Sequence, residues 1–360
     1  MVKALAATWA TAVPVAAVLL LGAALFLSLS FLLALVCVVA LMTSVVAAVH
    51  HAEVVAHRVG EPFGTLVLAL AITVIEVALV VSLMLAGGEE KAALARDSVY
   101  AAVMIICTGV VGACVMAGAL RHGEQSFRIE GAGPALAALV TLATLVLILP
   151  GYTTSAPGPR YSTSQVAFSA LASLALWAVF VFVQTVRHRD YFLPPDAAVD
   201  ETAHAPPPTL GQAWLSFALL FVSLVAVVGL AKVLSPAIEA AVEAAGAPPG
   251  VIGVAIAALV LLPEASAAVR AALSDRLQTS MNLALGSALA SIGLTIPVVA
   301  VASVALELPL VLGLEAKDVV MLTLTFLVST ITLASGRTTL MQGAVHLVIF
   351  AVFLFLTLVP

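Results

Sequence analysis

Apolar residues run along this chain in stretches of about 20 or more, each closed by a short cluster of polar residues, glycine or proline. That length matches a helix crossing the roughly 30 Å hydrocarbon core of a bilayer. The breaks predict eleven helices, over 8–27, 30–49, 64–86, 98–120, 134–151, 163–186, 211–232, 249–271, 278–305, 309–335 and 338–358. Two divisions rest on the fewest polar residues: Ser28-Leu29-Ser30, and Gly336-Arg337. The apolar run from Thr8 to Val49 is far longer than the 7–15-residue core of a cleavable signal, so it reads as two spans. The predicted fold class is therefore an all-α integral membrane protein.

Composition removes the alternative of a soluble globule. Of 360 residues, 63% are hydrophobic and 9% charged, with mean hydropathy +1.22. A water-facing surface needs nearer 25% charged residues, so the bilayer is the solvent. A net charge of −5 excludes a nucleic-acid partner, which calls for a basic patch. Cys37, Cys107 and Cys114 all fall inside apolar runs, where they read as packing residues and not as a disulfide framework.

The longest polar segment, Arg187–Pro208, holds Asp190, Asp196, Asp200, Glu201 and Pro206-Pro207-Pro208, the composition of a solvated linker. Six spans precede it and five follow. The predicted organisation is an extra helix over 1–28, a five-helix repeat over 29–186, a cytoplasmic linker over 187–210 and a second five-helix repeat over 211–360. An odd-numbered unit that repeats must enter the membrane from opposite sides, the inverted-repeat plan of many secondary transporters. With the N-terminus cytoplasmic, nine basic residues lie inside (Lys3, Arg58, Arg121, Arg128, Arg187, Arg189, Arg270, Arg276, Arg337) and five outside (Lys91, Arg96, Arg160, Lys232, Lys317). That asymmetry predicts an inner-membrane protein with a periplasmic C-terminus.

Two carboxylates interrupt apolar runs: Glu76, in Gly64–Leu83, and Glu264, after Pro263 in Gly253–Arg270. An acidic side chain at the bilayer centre costs about 2.5–3.5 kcal/mol on insertion scales, and such residues face a partner or an ion pathway. A structural glutamate bonded to a nearby hydroxyl is the plainer alternative. Against it, each lies in the second span of its half, twelve residues after Gly64 and eleven after Gly253, and each is followed by a span rich in small residues. In the later of those spans Ser280, Ser287 and Ser291 share one helical face, with Asn282, Gly286 and Gly293 nearby. Small residues also build tight helix seams, so each hydroxyl reads equally as ligand or as packing. Thr73 and Ser266 are further candidate ligands, and Pro263 removes a backbone donor, which predicts a broken helix with freed carbonyls. A hard cation takes six to eight oxygens from carboxylates, carbonyls and waters. Carboxylates withdrawn from water bind either a cation or a proton, and competition between the two is what an exchanger requires. Glu76 and Glu264 are the predicted metal ligands, with Ser287, Asn282, Thr73 and Ser291 around them; no cofactor is expected beyond transported Ca²⁺, alternatively Na⁺ or K⁺, and H⁺.

Other constellations are weaker. His50, His51, Glu53 and His57 read either as a metal or proton-relay cluster or, more simply, as a solvated helix end. They lack the HExxH pattern of a metalloprotease. Ser335 with His346 would suggest an intramembrane hydrolase, but no strained nucleophile turn or third partner accompanies them. Glu61 reads as a solvated residue in a helix-starting loop.

The segments Gly60-Glu-Pro-Phe-Gly-Thr-Leu-Val-Leu-Ala-Leu-Ala-Ile-Thr-Val-Ile-Glu76 and Leu262-Pro-Glu-Ala-Ser-Ala-Ala-Val-Arg270 resemble the two signature repeats of the calcium/cation antiporter superfamily. Arg121-His-Gly-Glu-Gln125, the stretch Asn282–Pro297 and Ser335–His346 resemble its bacterial ChaA-type calcium/proton antiporter branch. The resemblance runs from about His50 to the C-terminus. It implies a non-enzymatic, electrochemically driven exchanger of one helix plus two inverted five-helix repeats, in which Glu76 and Glu264 bind cation and proton alternately. Vacuolar cation/proton exchangers follow the second glutamate with His, whereas Ala265 stands here. Members of this branch are also associated with Na⁺/H⁺ and K⁺/H⁺ exchange.

Overall fold

The computed structural model describes residues 2–60, 63–192 and 207–359, with the side chains of residues 2–8, 63, 65 and 66 set aside. Asp196, Asp200, Glu201 and Pro206 of the predicted linker, and Glu61, lie outside the described residues. Among those described, eleven helical spans are long and apolar enough to cross a membrane. Both thinly supported divisions exist, for local reasons. Helix α1 (Val2–Phe26) ends before Ser30, whose hydroxyl accepts from the Leu33 amide and caps α2 (Phe31–Val59). Helix α11 (Ala316–Ala334) stops before Gly336, which takes the left-handed φ of +64° that favours glycine.

The chain forms two compact units that cut across its linear order, residues 1–91 with 205–247 and residues 92–204 with 248–360. In the first, α2 packs on α1, α3 (Phe63–Gly87) and α8 (Leu210–Ala244). Its core includes Leu21, Cys37, Ala226, Leu230 and Leu234. Helix α2 runs ten residues beyond the sequence expectation of 30–49. The reason is His51, which is buried, with Nε2 2.8 Å from the Ala10 carbonyl and Nδ1 3.3 Å from the Ser216 hydroxyl. The cluster read as a solvated helix end thus ties α2 to α1 and α8, leaving Glu53 and His57 exposed. Helix α8 likewise continues past Lys232 and Pro236, and its Glu239 pairs with Lys91 at 3.4 Å.

The second unit holds the other seven spans. Helix α4 (Leu94–Met104), a widened π-helical stretch (Ile105–Val110) and α5 (Val111–His122) form one continuous span. Then come β1 (Gln125–Ser126), α6 (Ile129–Ala143), α7 (Thr163–Phe182), α9 (Gly250–Leu273), α10 (Leu277–Ala305), α11, β2 (Arg337–Thr338) and α12 (Leu340–Leu358). The α4–α5 span and α10 are central: 72% and 61% of their apolar stretches are buried, against 22% for the α7 and α12 spans. Glycines let neighbours approach. A Cβ at Gly253 would meet Asp97 Cβ and the Ser98 amide at 2.9 Å, so only glycine admits α9 this close to α4.

The loops pair by parity. Val311 donates to the Ala92 carbonyl (2.9 Å) and Gly313 to the Pro159 carbonyl (3.0 Å), joining loops that all follow odd-numbered spans. Loops after even-numbered spans join one another. There β1 and β2 pair antiparallel, Gln125 Nε2 donates to Asp275 Oδ1 (2.7 Å), and Arg128 Nη1 donates to the Asp190 carbonyl (2.6 Å). Such sorting is what a chain crossing a slab at every span produces.

Candidate functional site

Helix α3 carries Glu76, 3% exposed, between the buried residues Ile75 and Val77. Its run of Leu, Ile, Val and Ala needs no partner to insert, and the glutamate is the lone acid in the helix. Thr73, one turn earlier, is buried and spends its hydroxyl proton on the Ala69 carbonyl of its own helix, at 2.9 Å. Its oxygen lone pairs stay available to a cation.

In the second unit Glu264 lies on α9. Pro263 does not break that helix, contrary to the sequence expectation: Gly250–Leu273 is continuous. The Ser266 hydroxyl donates to the Pro263 carbonyl (2.7 Å) and accepts from Arg270 Nη1 (3.1 Å), bracing the turn from outside. What proline does remove is the N–H that would have met the Leu259 carbonyl one turn back.

Glu264 is half-buried and meets α10, where the Ser287 hydroxyl donates to its Oε2. The pair lines a small pocket closed by Leu261, Ala265, Leu283, Ala284 and, from the widened turn of the α4–α5 span, Ile106 and Val110. Apart from the carboxylate and the hydroxyl every side chain in this lining is apolar. A carboxylate in such a largely apolar lining has lost part of its water, and it is a group that can take a cation or a proton.

The remaining expected ligands lie at different distances from this pair. Ser291 is buried one turn beyond Ser287 on the same face of α10. Ser280 is fully buried two turns before it, its hydroxyl beside the Cys114 thiol. Asn282 is about 7.5 Å of helix rise before Ser287. Its side chain is engaged there, Nδ2 donating to the Phe192 carbonyl (2.5 Å) and Oδ1 accepting from Gln278 Nε2 (2.9 Å). Gln278 in turn accepts from the Arg128 amide (2.6 Å), so Asn282 belongs to the network that pins the loops. Among the described residues no group of three or more His, Cys, Asp or Glu is placed to hold a metal ion, the His50–His57 cluster included. The hydrolase reading fails on geometry. Ser335 Oγ lies 2.8 Å from the Thr332 carbonyl and 2.5 Å from that of Arg337, while both His346 ring nitrogens are occupied elsewhere.

The wall formed by Ile106 and Val110 is the part of this pocket that sequence reading missed. The available signal was Thr108-Gly109, with Gly112, inside an otherwise apolar run. Thr108 donates to the Met104 carbonyl at 2.5 Å inside the widened turn, a back-bond that bends helices.

Comparison with known proteins bears on the whole chain. The sodium/calcium exchanger protein family matches residues 14–186 and 215–359, two segments flanking the polar region after span six. A protein of Sinorhizobium fredii that bears the name ionic transporter y4hA is 52% identical over 320 residues, 88% of this chain and 86% of its own. The sodium-potassium/proton antiporter ChaA of Escherichia coli is 34% identical over 319 residues, with the same coverage. Among solved structures, native YfkE superposes with a TM-score of 0.70 at 18% identity, covering 91% of this chain and 92% of its own. The H⁺/Ca²⁺ exchanger CAX superposes with a TM-score of 0.67 at 15% identity, covering 89% and 82%. At those identities the structures speak for the fold.

Proposed function

Because this chain belongs to the sodium/calcium exchanger protein family, we propose that it is a secondary transporter that exchanges Ca²⁺ for H⁺ by alternating access. The observation that carries this reading is the Glu264–Ser287 pair, a carboxylate inside a membrane-spanning helix facing an apolar pocket. Glu76 is the corresponding acid of the other compact unit. Each glutamate binds cation or proton, not both, so loading one ion releases the other, and the pathway needs no cofactor. Thr73, one turn before Glu76, Ser287, which meets Glu264, and Ser291, one turn beyond Ser287, are the hydroxyl ligands of this reading, and Asn282 is the outlying member of the set.

A second reading is Na⁺/H⁺ or K⁺/H⁺ exchange by the same site, favoured by the relative named as a sodium-potassium/proton antiporter. Everted vesicles carrying the protein and a pH-sensitive dye separate the two. Addition of Ca²⁺ is expected to release protons at lower concentration than Na⁺ or K⁺. A proton release driven by Na⁺ or K⁺ alone selects the second reading, and none with any of the three rejects antiport.

The same reading fixes a sidedness. Nine basic residues against five put the loops after even-numbered spans in the cytoplasm. Those loops include the β1–β2 pair and Arg276. A reporter fused after Pro360 is expected to be active only in the periplasm, and one inserted near Asp200 only in the cytoplasm. A cytoplasmic signal from the C-terminal fusion would refute an odd number of crossings.

A further inference from the structure

Helix α12 contributes no residue to the Glu264 pocket, yet its one histidine reaches the back of that pocket's wall. His346 is fully buried. Its Nδ1 is 2.8 Å from the Cys107 carbonyl and its Nε2 is 3.0 Å from Thr332 Oγ1. A carbonyl can only accept, so Nδ1 carries the proton and Nε2 accepts from the threonine hydroxyl. Both ring nitrogens are thereby used, and the ring has one orientation.

Cys107 sits in the middle of the widened turn Ile105–Val110. A π-helical turn carries one more residue than an α-helical one, and such turns recur at functional sites. Two adjoining stripes of this turn and the start of α5 face two different cavities. Ile106 and Val110 wall the Glu264–Ser287 pocket. Cys107 and Val111 wall a second small cavity, together with Leu285, Ser329, Thr332 and His346. Gly112 makes the approach possible, since a Cβ there would meet His346 Cβ at 2.9 Å. Turning this stretch moves both stripes together, so whatever fixes Cys107 also fixes Ile106 and Val110.

We propose that His346 is a positioning residue for the Glu264 site: by donating to the Cys107 carbonyl it holds the widened turn in the phase that presents Ile106 and Val110 to Glu264. This rests on the reading of Glu264 as a cation-binding carboxylate. A histidine that merely filled core volume would tolerate any side chain of similar size. A positioning histidine needs a donor at the Nδ1 place and is indifferent to Nε2.

Asparagine puts its amide nitrogen near the place of Nδ1, and glutamine near that of Nε2. Ca²⁺-driven proton release is measured across Ca²⁺ concentration in everted vesicles for His346→Asn, His346→Gln and Thr332→Val. His346→Asn and Thr332→Val are expected to keep half-saturation within twofold of the wild type. His346→Gln is expected to raise it about tenfold with little change in maximal rate. Equal half-saturation for the Asn and Gln variants would overturn the proposal, as would a Thr332→Val effect as large as that of His346→Gln. Should the His346 variants fail to insert, nitrogen NMR of the histidine-labelled wild-type protein decides: protonated Nδ1 with bare Nε2 is expected, and the opposite tautomer overturns it. That measurement needs no transport. Absence of exchange in the wild type counts against the functional reading, whereas a transporting wild type with indistinguishable Asn and Gln variants counts against this one.

Discussion

Glu264→Gln is expected to abolish proton-coupled cation exchange while leaving the protein inserted and folded. Glutamine keeps the length and shape of the side chain, and its carbonyl oxygen still accepts from the Ser287 hydroxyl, so the α9–α10 contact survives. Removing the charge also lowers the cost of inserting α9. What is lost is a negative ligand and the group that takes up the proton. Hydrogen bonds to charged groups are worth about 1.5–3 kcal/mol, and full loss of a cation's charged ligand exceeds that. A fall of at least about 100-fold in exchange follows, at 1.4 kcal/mol per factor of ten. Glu76→Gln is expected to do the same from the first compact unit, where the acid is still more deeply buried. Dye-reported proton flux in everted vesicles, beside gel filtration of the purified variants, measures both effects. Near-normal flux in either variant would remove that glutamate from the transport site.

Ser287→Ala is the second large effect expected, a rise of about tenfold in the Ca²⁺ needed for half-maximal exchange. Alanine keeps the small volume that the α9–α10 approach requires but deletes the hydroxyl that meets Glu264. The bond is to a half-buried carboxylate, so the loss belongs at the lower end of the charged hydrogen-bond range, near one factor of ten. Ser287→Cys is slightly larger and offers a soft sulfur poorly matched to Ca²⁺, and it is expected to be at least as impaired. If the serine were only a packing residue, alanine would behave as wild type and any loss would be confined to cysteine. An unchanged half-saturation in Ser287→Ala would therefore refute its role as a ligand.

The spans were legible because charge is so scarce: a helix that must cross hydrocarbon announces itself by what it omits. Glu76 and Glu264 were legible for the complementary reason, as acids where the environment penalises them. Ser287 was legible through its period, seven residues after Ser280 and four before Ser291, although periodicity alone left packing and ligand roles equal. The structure brings the Ser287 hydroxyl onto Glu264, a contact that a cation-binding pair and a structural glutamate bonded to a hydroxyl would both show.

What failed to show in the sequence depends on distant partners. His51 was read as solvated because polar residues clustered around it suggest a helix end. Ala10 and Ser216, which bury it, are 41 and 165 residues away. Pro263 was expected to break α9, but Ser266 and Arg270 brace the turn and the helix passes through. Asn282 carries no mark distinguishing a ligand from a loop anchor until the Phe192 carbonyl appears beside it. The widened turn has no dedicated residue code, and it becomes visible only when a second helix reaches Cys107.

The β1–β2 pair has a consequence for how the molecule is made. Gln125 and Thr338 meet across 213 residues, and the Cys107 carbonyl waits 239 residues for His346. A chain that emerges from its N-terminus builds the α4–α5 span early, while the strand and helix that complete its surroundings arrive last. Until then Gln125, whose amide reaches Asp275 and whose carbonyl awaits Thr338, has only part of its partners. The seam at Gly112 has no helix to receive. Late closure makes the second unit cooperative with respect to length: a chain truncated before α11 has its acid Glu264 and its partner Ser287 in place, but neither the histidine nor the strand that holds the central span. During biogenesis, the site residues are therefore present before the scaffold that shapes them, since the contacts of β2 and His346 form only once α11 and α12 have been made.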